Sequence, residues 1–87
     1  MNTFLFTVST PDGNLLNEQV CAVFVRGTEG DLAVLAGHEP FVTTVKAGKC
    51  RVEFEDGSEK IGSSDGGILT VFENKVSLLS GTFKWDN

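Results

Sequence analysis

Apolar and polar residues alternate along nearly the whole chain, and the period is two. Phe4, Phe6 and Val8 interleave with Leu5, Thr7 and Ser9, so the first run predicts a strand with one face turned inward. Pro11-Asp12-Gly13-Asn14 follows as a turn, because proline presets φ while Gly and Asn tolerate positive φ. Residues 20–26 are apolar on both faces, with Val20, Ala22 and Phe24 alternating against Cys21, Val23 and Val25. A strand of that kind fits a sheet interior or a position beneath a partner. Residues 32–35 and 41–45 are shorter strand candidates, separated by the turn Ala36-Gly37-His38-Glu39-Pro40.

The second half repeats the pattern. In residues 49–55, Cys50, Val52 and Phe54 are expected to point inward, and Arg51, Glu53 and Glu55 outward. Asp56-Gly57 predicts a hairpin turn into residues 58–64. Gly66-Gly67 is expected to break the chain before residues 68–72, and Glu73-Asn74-Lys75 turns it into residues 76–80. Helical apolar spacing is absent throughout. The pattern predicts an all-β fold, an antiparallel β-sandwich or flattened barrel of about ten short strands. Phe4, Phe6, Phe24, Phe54 and Phe72 fall on these runs and are expected mostly in the core. The domain is expected over residues 1–81, with 82–87 as a tail too short for a helix of its own.

Composition narrows the function classes. At 87 residues there is room for one domain and one modest core. Seven basic against twelve acidic residues give a net charge of −5, which argues against nucleic-acid or anionic membrane binding. The basic residues are scattered, and no basic strand displays paired aromatics for base stacking. Residues 1–20 lack the basic and long apolar regions of a signal peptide. Nothing approaches the ~18–20 consecutive apolar residues that cross a bilayer. The expectation is a soluble, cytoplasmic monomer whose membrane association runs through partners.

Candidate chemistry is sparse. Cys21 and Cys50 lie in apolar runs without CxxC spacing, so buried reduced thiols are expected in preference to a disulfide or zinc site. His38 is the single histidine. Its His-Glu-Pro setting lacks the second His of a zinc-protease motif and reads as a turn residue. Gly48-Lys49-Cys50 resembles the end of a phosphate loop, but Thr43 replaces the upstream Gly and Cys50 the magnesium-binding Ser or Thr. Glu29 and Asp31 flank Gly30 as a conceivable acid–base or calcium pair. Two carboxylates are too few for calcium, and solvated turn acids are the plainer reading. No nucleophile–base pair can be assembled, so an enzyme is not expected, and neither a cofactor nor a metal is implied.

Residues 28–48, TEGDLAVLAGHEPFVTTVKAG, carry the most specific signal. With FLFTVSTPDGNLLNEQVCAVFVRG before them and GGILTVFENKVSLLSGTF after, they closely resemble the epsilon subunit of bacterial F-type ATP synthases (delta in mitochondria). The resemblance covers about nine-tenths of the chain and corresponds to the family's N-terminal β-sandwich. It implies a non-catalytic rotor part on the cytoplasmic face of the bacterial plasma membrane. Such a part clamps the foot of the gamma subunit to the c ring, so that rotation driven by protons or sodium ions turns gamma. It further implies a gamma-facing role for Thr10, His38 and Thr43. Glu29, Gly30 and Asp31, within the loop 26–33, are implied to face the polar loops of the c ring.

Some features depart from the family. Its frequent prolines before Gly37 and Gly48 are Ala36 and Ala47 here, so those loops are expected to be less rigid. The family's C-terminal helical hairpin, which regulates ATP hydrolysis and can bind ATP, falls outside these 87 residues. Its roles are not carried over, and the sandwich by itself is expected neither to bind ATP nor to brake hydrolysis. The competing class is a freestanding ligand- or carbohydrate-binding sandwich, which would more often bring a signal peptide and aromatics displayed on loops.

Overall fold

In the computed structural model, which describes residues 2–86, the alternating runs become eight strands. They are β1 (Phe4–Thr10), β2 (Gly13–Val20), β3 (Ala22–Gly27), β4 (Gly30–Leu35), β5 (Phe41–Glu53), β6 (Glu59–Phe72), β7 (Lys75–Ser80) and β8 (Phe83–Trp85). All join one sheet in the order β2-β1-β7-β6-β5-β3-β4, with β8 paired to β6. The pairings are antiparallel except for β1 with β7, which runs parallel from Leu5↔Lys75 to Ser9↔Leu79.

The long strands β5 and β6 turn this sheet into a sandwich. They pair from Phe41↔Val71 to Glu53↔Glu59, and the ladder skips Ala47 and Asp65 between Lys46↔Gly66 and Gly48↔Ser64. On one side of this break, β2, β1, β7, late β6 and early β5 form a first layer. On the other, β4, β3, late β5, early β6 and β8 form a second. Dimensions of 31 × 28 × 22 Å exclude a flat sheet, in which eight strands about 4.8 Å apart would give one thin layer. Inward-facing residues of both layers meet in one core, in which Phe4, Phe6, Val8, Val23, Val34, Val52, Leu69 and Leu78 are buried.

The all-β sandwich expected from the sequence is present, with three differences in detail. There are eight strands instead of about ten, because β5 and β6 continue through glycines read as breaks. A glycine inside a strand allows a bend and close approach without ending the ladder. At Gly67 a Cβ would lie 1.9 Å from the carbonyl oxygen of Leu79, so the β6–β7 crossing needs a residue without one. Residues 15–19, for which the alternation predicts no element, join Gly13, Asn14 and Val20 in β2, which pairs with β1 after the two-residue turn at Pro11-Asp12 and ends before Cys21, so the run 20–26 is divided between β2 and β3. Within the expected tail, Phe83–Trp85 forms β8 on the edge of β6.

The aromatic core is also smaller than expected. Phe4 and Phe6 are buried and Phe54 packs against the core, but Phe24 is half-buried and Phe72 is 57% exposed. Cys50 is buried and Cys21 half-buried.

Candidate interaction surfaces

The outward positions of the first layer form an apolar and hydroxyl-bearing face. Strand register aligns Val42, Thr70, Ser77 and Thr7 in one row, and Thr44, Ile68, Leu79 and Ser9 in the next. Neither row carries a charge. Thr7 Oγ1 donates to Ser77 Oγ at 3.1 Å within the first row. Phe72 extends the face, next to Lys75. Val42, Phe72, Leu79 and Ile68 are 68, 57, 54 and 45% exposed. Large apolar side chains clustered on one sheet face mark an interaction surface more often than chance exposure.

A signal for this face was present in the residue order, although alternation alone obscured it. Late β6 and β7 are apolar in both phases, with Ile68 beside Leu69 and Leu79 beside Leu78. Only one phase can be core, so the other had to face solvent or a partner.

Thr10 closes β1 at the margin of this face. Its Oγ1 accepts from the Asp12 amide at 3.2 Å, and it shares a depression of about 360 Å³ with Leu79 and Ser80. Beneath it lies a polar knot at the β6 bend. Ser80 Oγ is within 3.0 Å of Asp65 Oδ1 and 2.9 Å of Ser64 Oγ, and the Thr82 amide donates to Asp65 Oδ1 at 3.0 Å. The Thr82 amide first, and the Ser80 hydroxyl second, hold the Asp65 carboxyl below its ordinary value.

The acidic hairpin tip sits at the other end of early β5. Gly27↔Gly30 closes the β3–β4 hairpin around Thr28 and Glu29, and Asp31, the second residue of β4, stands opposite Arg26. Glu29, Gly30 and Asp31 are all exposed. With Phe41, Val42 and Thr43 they line a depression of about 370 Å³. The exposed His38 ring lies 4.8 Å from that of Phe41, and its Nδ1 is 3.0 Å from the Glu39 carbonyl oxygen.

The structure therefore brings Glu29, Gly30, Asp31 and Thr43 together, with His38 against the depression's wall at Phe41. Thr10 stands apart, at the far margin of the apolar face. Val42 belongs to both the face and the depression, so the two surfaces are continuous.

None of this is reactive chemistry. Burial pushes the Cys50 thiol up to about 12, so it stays protonated and is a poor nucleophile. No group of three or more His, Cys, Asp or Glu residues gathers into a metal site among the described residues. No helix there is long and apolar enough to cross a membrane.

Comparison with known proteins places this sandwich among ATP synthase delta/epsilon chains. The family model of the ATP synthase delta/epsilon chain β-sandwich domain matches residues 3–86. ATP synthase epsilon chains of Staphylococcus aureus strains JH9 and Newman are 39% identical over 83 residues, 94% of this chain and 61% of theirs. The chain thus spans about three-fifths of the length of these curated relatives. In a mitochondrial ATP synthase OSCP/F1/c-ring structure from Euglena gracilis, one chain matches with TM-score 0.91 and 29% identity. That match covers 95% of this chain and 53% of the other. A chain of the Tetrahymena thermophila mitochondrial central stalk and c ring shares the fold, with TM-score 0.79 and 16% identity over 91% of this chain and 63% of its own.

Proposed function

The chain belongs to the ATP synthase delta/epsilon family through its β-sandwich domain, and from that premise we propose that it is a non-catalytic central-stalk subunit. It joins the gamma subunit to the c ring and so couples ion translocation to ATP synthesis. Its membrane association is peripheral, through the complex, at the cytoplasmic face.

One observation supports this reading best: a single stiff sandwich carries two adjoining surfaces of different chemistry. The rows of Val42, Ile68 and Leu79 suit a permanent interface, whose buried centre is apolar and poor in charge. The Glu29–Asp31 tip suits a joint aligned by charge, in which complementarity fixes orientation more than affinity. Gamma therefore covers the apolar face, bounded by Thr10 and reaching His38 and Thr43, and Glu29, Gly30 and Asp31 meet the polar loops of the c ring.

Cross-linking tests the assignment. Photoreactive side chains placed at positions 10 and 42 should attach to gamma, and one at position 29 to subunit c. Attachment of position 29 to gamma alone, or of position 42 to neither, would contradict it.

A further inference from the structure

β8 is held differently from the other strands. It pairs only with early β6, from Gly62↔Trp85 to Ser64↔Phe83. β2 and β4 are edge strands too, but their ladders run from Phe4↔Val20 to Thr10↔Gly13 and from Ala22↔Leu35 to Gly27↔Gly30. Thr82, Lys84 and Asp86 are exposed, and the two rings between them, Phe83 and Trp85, are half-buried.

Polar ties fasten the strand at both ends. At its entry the Thr82 amide donates to Asp65 Oδ1 at 3.0 Å, and the Asp65 amide donates to the Thr82 carbonyl oxygen at 3.3 Å. At its exit the Asp86 amide donates to the Ile61 carbonyl oxygen at 2.9 Å. The Asp86 carboxylate there takes Lys49 Nζ at 2.7 Å and the Ser63 hydroxyl at 3.1 Å. The Trp85 indole adds a bond to the Leu15 carbonyl oxygen. The side-chain ties lie at the surface, where water competes for each partner and such contacts add little.

Between the ties the rings rest on a glycine. A Cβ at Gly62 would lie 2.6 Å from the Phe83 ring and 3.0 Å from that of Trp85, so the rings fill the place a side chain there would take. The other ladder partner of Gly62 is Cys50, which is buried in the core cluster against which both rings pack. Trp85, Gly62 and Cys50 therefore form one inward row, with the rings roofing the space beside the thiol.

We propose that β8 is a strap that swings away as a unit about Gly81 while β1 to β7 stay paired, and that its opening uncovers Cys50. Local opening draws on elements with few buried apolar contacts and solvent-exposed hydrogen bonds. β8 meets both conditions. β7, from which it continues, does not, because Val76, Leu78 and Ser80 are buried. Gly81 stands between buried Ser80 and exposed Thr82, and glycine has the backbone freedom that a hinge uses. Opening breaks only the short ladder and the ties named above, and β6 keeps its pairing with β5 and β7. Under the closed strap the thiol is sealed from reagents. With the strap open it meets water and regains the reactivity of an ordinary cysteine.

Alkylation by iodoacetamide, read at the Cys50 peptide by mass spectrometry, tests this on the 87-residue chain. Without urea, Cys50 should react about tenfold or more faster than global unfolding, followed by circular dichroism, allows. The rate should rise with urea far less steeply than the global unfolding constant, because an opening strap exposes little surface. Ser63→Cys with Lys84→Cys sets two thiols directly across the ladder, at a separation that a disulfide spans. Once oxidised, this pair should slow alkylation of Cys50 about tenfold or more, and reduction should restore the rate. Reaction of Cys50 through global unfolding alone, with the full urea slope, would overturn the proposal. An unchanged rate in the locked chain would route the reagent through another opening and overturn it equally.

Discussion

The indole Nε1–H of Trp85 donates to the carbonyl oxygen of Leu15 at 3.2 Å, joining β8 on the second layer to β2 on the first. The two strands share no sheet ladder, so this bond and the packing around it close an otherwise open side of the sandwich. Phe83 meets Trp85 edge-on at 4.8 Å, both rings lean on the core, and Lys60 Nζ lies 4.8 Å from the Trp85 ring centroid. Trp85 is the chain's single tryptophan, so its fluorescence reports this closure directly.

Removing the closure should cost stability. Trp85→Ala loses the hydrogen bond and half-buried aromatic area, an expected loss of about 2 kcal/mol, below the range for fully buried tryptophan. Trp85→Phe keeps most of the area and should lose about 1 kcal/mol. Urea unfolding followed by circular dichroism measures both. Equal stability of Trp85→Ala and the parent would mean that β8 is an ornament on a sandwich already closed by its core.

The glycine at the layer crossing gives a sharper test. A Cβ at Gly67 would meet the Leu79 carbonyl oxygen at 1.9 Å, and that oxygen is backbone in a paired strand, unable to step aside. Gly67→Ala should therefore cost about 3 kcal/mol or more. A melting temperature within a degree or two of the parent would show that the crossing is looser than described.

The β6–β7 turn offers a change in the other direction. Glu73 and Asn74 form a two-residue loop with φ of 48° and 64°, and Phe72↔Lys75 closes it. A glutamate tolerates this conformation less well than an asparagine. Glu73→Asn should stabilise the domain by about 0.5 kcal/mol, seen as a raised urea midpoint with unchanged slope.

Acid should loosen the bend. The Thr82 amide and the Ser80 hydroxyl lower the Asp65 pKa in the folded state from its ordinary 3.8. The unfolded chain therefore binds a proton there more readily than the native one. The stabilisation is present above that ordinary value and is lost as pH falls from it through the lowered folded value. Asp65→Asn should flatten this part of the stability profile below about pH 4. An unchanged acid limb in Asp65→Asn would place the proton uptake on other carboxylates.

Much of this architecture was legible in the alternation, and what was not has physical causes. Alternation places Phe4 and Phe6 in the core and points Cys50 and Val52 inward, and all four are buried, because their runs are apolar mainly in one phase. Phe72 was expected in the core and is exposed. Its neighbours Ile68, Leu69 and Val71 make both phases apolar, and only pairing across to β7, Leu69↔Leu78 and Val71↔Val76, decides which faces inward. The parallel β1–β7 pairing joins residues 70 positions apart, as at Leu5↔Lys75, and no local pattern encodes it. Among the site residues, the hairpin tip 29–31 was readable as exposed turn acids. Its approach to Thr43 depends on how β5 folds over and was not readable.

The acids of that tip should matter for coupling and hardly for folding. Glu29 and Asp31 are exposed and form no ion pair among the described residues. Their double Ala variant should stay within about 0.5 kcal/mol of the parent. ATP-driven proton or sodium pumping by the reconstituted synthase should nonetheless fall. Pumping and assembly unchanged at physiological salt would remove these residues from the c-ring interface.

The central claim is that this sandwich links gamma to the c ring, and affinity capture from native membranes tests it most directly. The tagged chain, recovered after mild detergent extraction, should bring both gamma and subunit c with it. A Val42→Asp, Leu79→Asp double variant that still folds should lose them, because a charge buried at an apolar interface is left unpaired. Recovery of the parent chain with neither subunit, or of the double variant with both in full yield, would contradict the account.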